Sequence, residues 1–108
     1  MLYEMRIYHC MPGRLPDLNK RFEVVTMKLW QKHGIVPVGF WTNVIGDSNV
    51  TLTYMLQWES LSERESKWAA FGTDPEWLAA RAETEKNGAL ITHFSNSIMA
   101  PTAYSPMK

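Results

Sequence analysis

The chain has 108 residues, of which 45% are apolar and 20% charged. This composition fits one compact domain and excludes a disordered segment. Eleven basic residues balance eleven acidic ones, which removes the electrostatic footprint of a nucleic-acid binder, and no apolar run approaches the roughly 18 residues a membrane helix needs. A single cysteine, Cys10, leaves no internal disulfide. Met1-Leu2-Tyr3-Glu4 lacks the layout of a secretory signal, so a cytoplasmic domain held together by packing is expected.

Tyr3 to Tyr8 alternates with a period of two, as a half-buried strand does, and Pro12-Gly13 ends it. From Leu15 the period changes. Leu15, Leu18, Phe22, Val25 and Leu29 form one stripe of a helix, with Asp17, Lys20, Arg21 and Lys28 opposite. Pro16 suits its first turn, and Gly34 stops it after Lys32 and His33, whose charge complements the dipole. Val36–Ile45 and Val50–Trp58 read as two strands of a hairpin around Gly46-Asp47-Ser48-Asn49. Ser60 with Glu63 is a capping box opening a helix over 61–71, with Leu61, Trp68 and Phe71 inward. Asp74-Pro75 opens a second helix over 75–86, and Ala89–Ile98 is the last strand. The remaining tail, Ala100 to Lys108, has no period.

The order strand, helix, strand, strand, helix, strand predicts a ferredoxin-like α+β sandwich, with helices on one face of a four-stranded antiparallel sheet. Giving each strand's more apolar set to the helices puts Met5, Ile7, Val38, Phe40, Leu52, Tyr54, Leu56, Leu90 and Phe94 inside. Glu4, Arg6, Tyr8, Trp41, Asn43, Thr53, Met55, Gln57, Ile91 and His93 then lie on the bare face. Such a face is near the upper limit of what a monomer exposes. A second copy is expected to cover it, giving a homodimer with a small-molecule site between the two sheets.

Tyr3-Glu4-Met5-Arg6-Ile7-Tyr8, Pro12-Gly13-Arg14-Leu15, Val38-Gly39-Phe40-Trp41-Thr42 and Trp58 through Glu65 resemble, in order, segments of NIPSNAP family proteins. Asp74-Pro75-Glu76-Trp77 and Pro101 through Pro106 extend the resemblance over almost the whole chain. It implies a dimeric α/β barrel, two ferredoxin-like domains with their sheets face to face. The family's frequent Leu-Trp-x-Tyr in the third strand stands here as Met55-Leu56-Gln57-Trp58.

Arg6, Tyr8, Trp41, Asn43 and Gln57 are the candidate ligand-binding residues. Arg6 offers a fixed fork of donors to a carboxylate or enolate, with Trp41 and Tyr8 as apolar walls. His93 is the candidate general acid or base and Tyr8 its hydrogen-bonding companion, should the domain be a cofactor-independent monooxygenase or isomerase. That alternative rests on analogy with the barrel superfamily. His9, His33 and His93 lack helical ligand spacing and His9 and Cys10 point to opposite faces of a strand, so neither a metal nor a cofactor is expected. A third reading makes the barrel a scaffold whose tail, Pro101 to Lys108, engages a protein partner.

Overall fold

The computed structural model covers Met1 to Lys108. Strand β1 (Leu2–Cys10) leads into a continuous helical run: α1 (Leu15–Arg21), a π-helical turn (Phe22–Thr26) and α2 (Met27–His33). Then come β2 (Val36–Thr42), β3 (Thr51–Trp58), α3 (Leu61–Gly72), α4 (Pro75–Thr84) and β4 (Ile91–Met99). The strands form one antiparallel sheet in the order β2-β3-β1-β4. This is the expected ferredoxin-like arrangement of elements.

The local signals act as their chemistry predicts. Gly34 closes α2 in the left-handed conformation, φ 71°, which glycine adopts without a Cβ clash. Ser60 accepts a hydrogen bond from the Glu63 amide at the start of α3, and Asp74 accepts one from the Glu76 amide at the start of α4. Asp74 also ties the start of α4 to the end of α2, because its Oδ2 lies 2.8 Å from Lys32 Nζ and 2.7 Å from His33 Nε2. The hydrogen bond from Lys32, then that from His33, holds the Asp74 carboxyl well below the usual carboxylate range.

Strand β2 is shorter than its apolar run suggests. It ends at Thr42 because the Asn43 side chain turns back to donate to Ser48 O and Thr51 Oγ1. Leu61, expected inward, is exposed, while Phe71 is buried and Trp68 packs on the core.

The larger correction concerns which face of β1 is covered. Arg6 pairs with Tyr54, Glu4 with Leu56 and Tyr8 with Leu52; cross-strand partners share a face, and Tyr54, Leu56 and Leu52 are buried beneath the helices. Glu4 and Arg6 therefore lie in the covered layer with Tyr8, and Met5 and Ile7 lie on the bare one. Apolar alternation fails here because the charges satisfy each other locally. Glu4, fully buried, accepts from Arg6 Nη1, Arg64 Nε and Nη2, Trp58 Nε1 and Asn96 Nδ2 at 2.8–3.0 Å.

Ile91 is also turned inward. A register shift between His9 and Cys10 pairs Ile91 with buried Cys10, so Ile91 packs against the core rather than facing out. Phe94 keeps its expected face, opposite Tyr8, but β4 is an edge strand and leaves the ring half exposed. In the helical run, the π turn carries the buried stripe onto Thr26 and Trp30. Arg21, expected in solvent, is buried at the end of α1, three residues after buried Leu18.

Candidate functional site

Between the sheet and the helices lies a partly enclosed cavity of about 60 Å³. Its walls are aromatic: Tyr8 from β1, Phe22 and Trp30 from the helical run, Trp68 and Phe71 from α3, and Trp77 from α4. Arg21, Thr26 and Ile91 complete the lining. At about 30 Å³ per water molecule, the space suits two waters or the head group of a small molecule.

Two residues of this lining carry a polar atom without a partner. Arg21 is 6% exposed and Trp30 is 1% exposed, yet neither Arg21 Nε nor Trp30 Nε1 has a hydrogen-bond acceptor. Another nitrogen of the guanidinium is committed. Arg21 Nη1 donates to Thr84 Oγ1 at 3.3 Å and Glu85 Oε2 at 3.2 Å, and the group lies 5.0 Å from the Trp77 ring centre. Burial lowers the proton affinity of Arg21 and Glu85 opposes that effect. A buried N–H without an acceptor costs about 1–3 kcal/mol, so two on residues that line one void call for an explanation.

Behind Tyr8 lies an arginine shared by two phenols. Arg6 Nε donates to the Tyr54 hydroxyl at 2.7 Å and Arg6 Nη2 to the Tyr8 hydroxyl at 3.2 Å, while Nη1 reaches Glu4. Rings of Trp68 and Phe94 lie 4.8 Å from its central carbon, close enough for cation–π attraction. Burial opposes the charge on Arg6, but Tyr54, Tyr8 and Glu4 more than restore it. Burial, reinforced by Tyr8, pushes the Tyr54 phenol well above its ordinary range in spite of Arg6. The Tyr54 phenol thus stays protonated, and both hydroxyls accept from Arg6, with Tyr8 reaching the cavity wall.

The residues expected from sequence to form one site fall in three places. Arg6 and Tyr8 are under the helices. Trp41, Gln57 and His93 are on the bare face, opposite Thr53, Tyr3 and His9 respectively. Asn43 is occupied within the β2–β3 turn. No single ligand touches both groups within one chain, because the sheet stands between them, and His93 and Tyr8 cannot share a substrate there. Sequence reasoning missed Arg21, Trp30 and Tyr54. The π turn that carries Trp30 inward has no periodic signature, Arg21 was read as solvent-facing, and Tyr54 was placed inside but without its role in holding Arg6.

The bare face has its own character. Tyr3, Met5, Ile7 and His9 of β1 lie there with Thr51, Thr53, Met55 and Gln57 of β3, His93, Ser95, Ser97 and Met99 of β4, and Val36, Gly39 and Trp41 of β2. None carries a formal charge. The Trp41 ring folds across Gly39, where a Cβ would come within 2.8 Å of it.

The sequence profile of the NIPSNAP family matches residues 3–106. Among solved structures, the chain is similar to a NIPSNAP family protein of unknown function from Agrobacterium tumefaciens, at 29% identity and a TM-score of 0.86, over 100% of this chain and 94% of that one. It is also similar to an uncharacterised NIPSNAP domain protein from Burkholderia xenovorans, at 22% identity and a TM-score of 0.83, over 98% and 99% of the two chains. A putative antibiotic biosynthesis monooxygenase from Deinococcus radiodurans shares the fold at 12% identity, with a TM-score of 0.61 and both chains fully covered. No curated protein matches the chain. With nearly every residue inside the profile match and the same fold in family members, the chain belongs to the NIPSNAP family.

Proposed function

We propose that this protein is a homodimeric small-molecule-binding domain whose ligand places an oxygen-bearing head group in the aromatic cavity beneath the helices. The observation that carries this reading is the pair of unpartnered buried donors, Arg21 Nε and Trp30 Nε1, on residues that line one void. A carboxylate or enolate oxygen would accept from both, and the surrounding rings would pack its apolar remainder. The site so placed replaces the one expected between two sheets, since Arg6 and Tyr8 face the helices.

The homodimer is supported by the bare face. It is free of charge in a chain with 11 basic and 11 acidic residues, and it exposes Trp41, Val36 and Met99. Depletion of charge at the centre of a patch, with aromatic and Met residues present, is the compositional signature of an interface. A second copy packing sheet against sheet would remove it from water.

The test is isothermal titration of benzoate, phenylacetate, salicylate and acetoacetate into the protein, with thermal shifts alongside. Saturable binding of at least one acid is expected. Arg21→Gln and Trp30→Phe should each weaken it at least tenfold, as loss of a charge-assisted or buried hydrogen bond does, with far-UV circular dichroism unchanged. Binding that ignores both substitutions, or none at all, would overturn the reading.

A further inference from the structure

We propose that a second, open pocket between the helical run and the β2–β3 hairpin binds a small amphipathic amine, an ammonium ion on an alkyl or aryl body. The pocket measures about 210 Å³ and is lined by Asn19, Phe22, Glu23, Met27, Phe40 and Leu52. Phe22 is the one residue it shares with the enclosed aromatic cavity, and the two spaces otherwise have separate walls.

The pocket has an apolar floor and a polar mouth. Asn19, Glu23 and Met27 recur at every fourth position, which brings them to one side of the helical run. Beneath them, Phe40 pairs with Tyr54 and Leu52 with Tyr8, so both belong to the covered face of the sheet. Phe22 and Leu52 are buried, and the rings of Phe22 and Phe40 meet 5.6 Å apart at 61°. Asn19 and Glu23 are exposed, and Met27 adds a flexible wall that adapts to the shape of a ligand.

Size and charge together select the ligand. An apolar cavity of about 150 Å³ takes one benzene ring, so this one has room for a ring with a short alkyl arm. Glu23 is the only charged residue of the lining, and no ion pair of the chain includes it. Its basic neighbours in sequence, Lys20 and Lys28, line clefts that face α4. An acid in this pocket would meet an uncompensated carboxylate. An ammonium group instead carries three donors and no acceptor, which the Glu23 carboxylate and the Asn19 amide oxygen can receive. The faces of the Phe22 and Phe40 rings attract the same charge. The pocket therefore selects the opposite charge from the acid assigned to the enclosed cavity.

Titration of phenethylamine, followed by methyl NMR and calorimetry, tests the pocket, with phenethyl alcohol as the uncharged counterpart. Saturable shifts of the Met27 and Leu52 methyl signals are expected, with nuclear Overhauser contacts from the ligand ring to the Met27 methyl. The alcohol should bind about fivefold more weakly than the amine. Glu23→Gln should weaken the amine about fivefold, as loss of a partly exposed ion pair does, and leave the alcohol unchanged. No saturation at millimolar amine, shifts confined to other methyl groups, or equal amine affinity in Glu23→Gln overturns the proposal. Circular dichroism of the variant separates a lost contact from a lost fold.

Discussion

The two faces of the sheet invert the usual expectation. The covered face holds a carboxylate and a guanidinium from β1, and the bare face holds no formal charge. Burial is thus decided by whether polar groups find partners, not by polarity itself. Glu4 has donors from four residues and Arg6 has Glu4 and two phenols. The bare face makes only scattered hydrogen bonds, such as Tyr3 to the Lys108 carbonyl and Asn43 to Thr51, and much of it is left to solvent or to a partner. The ion network also fixes register. A one-residue slip of β1 would move Glu4 and Arg6 onto the bare face and strand Arg64 without its carboxylate.

The contrast breaks most severely at Glu4. Glu4→Gln leaves Arg6 without its counter-charge, and urea unfolding should report a loss of about 3–5 kcal/mol. Replacing the ions together, as Glu4→Leu with Arg6→Met and Arg64→Leu, should recover much of that loss.

Acid probes the same face. Burial opposes ionisation of Glu4, but hydrogen bonds from Arg64, Asn96 and Arg6 more than offset it and bring the carboxyl down from 4.5 to about 2. A depressed folded value means the stabilisation is complete above pH 4.5 and is lost as pH falls towards 2. About 3 kcal/mol should disappear across that window. Asp74 acts in the same sense. Unfolding free energies measured from pH 6 to pH 2 should therefore fall steeply, and less steeply in Glu4→Gln.

On the other face the sharpest intervention is to add a charge. Met55→Lys, opposite Met5, should cost association at least about 2 kcal/mol, or roughly thirtyfold in Kd. Sedimentation velocity should shift from dimer to monomer with circular dichroism unchanged; an unshifted dimer would mean that the pairing uses another surface. The smallest effect is expected from Gly39→Ala, whose Cβ would displace the Trp41 ring at a cost of about 1 kcal/mol. Greater iodide quenching of the tryptophan fluorescence would register the displaced ring.

The order of elements, the caps at Ser60, Asp74 and Gly34, and the inward-facing residues of β3 could be read from local pattern because each depends on neighbours in sequence. The orientation of β1 could not. Both of its faces alternate acceptably, and the choice between them rests on Arg64 and Asn96, 60 and 92 positions beyond Glu4. The candidate site was illegible for a related reason. Trp30 reaches the cavity beyond a π turn, which breaks the 3.6-residue period on which a helical wheel depends, and Arg21 is a charged residue at the edge of the α1 stripe. Tyr8 was identified as a site residue, but on the wrong side of the sheet.

Cys10 gives this architecture a convenient clock. Its thiol is buried beside the Ile91 register shift, where its amide donates to Val50 O at 2.9 Å, and burial raises its pKa. Alkylating reagents can reach it only when the structure opens around it. With no second cysteine in the chain, the labelling rate reports openings at this one position, and comparing it with global unfolding shows whether this end of the sheet opens independently.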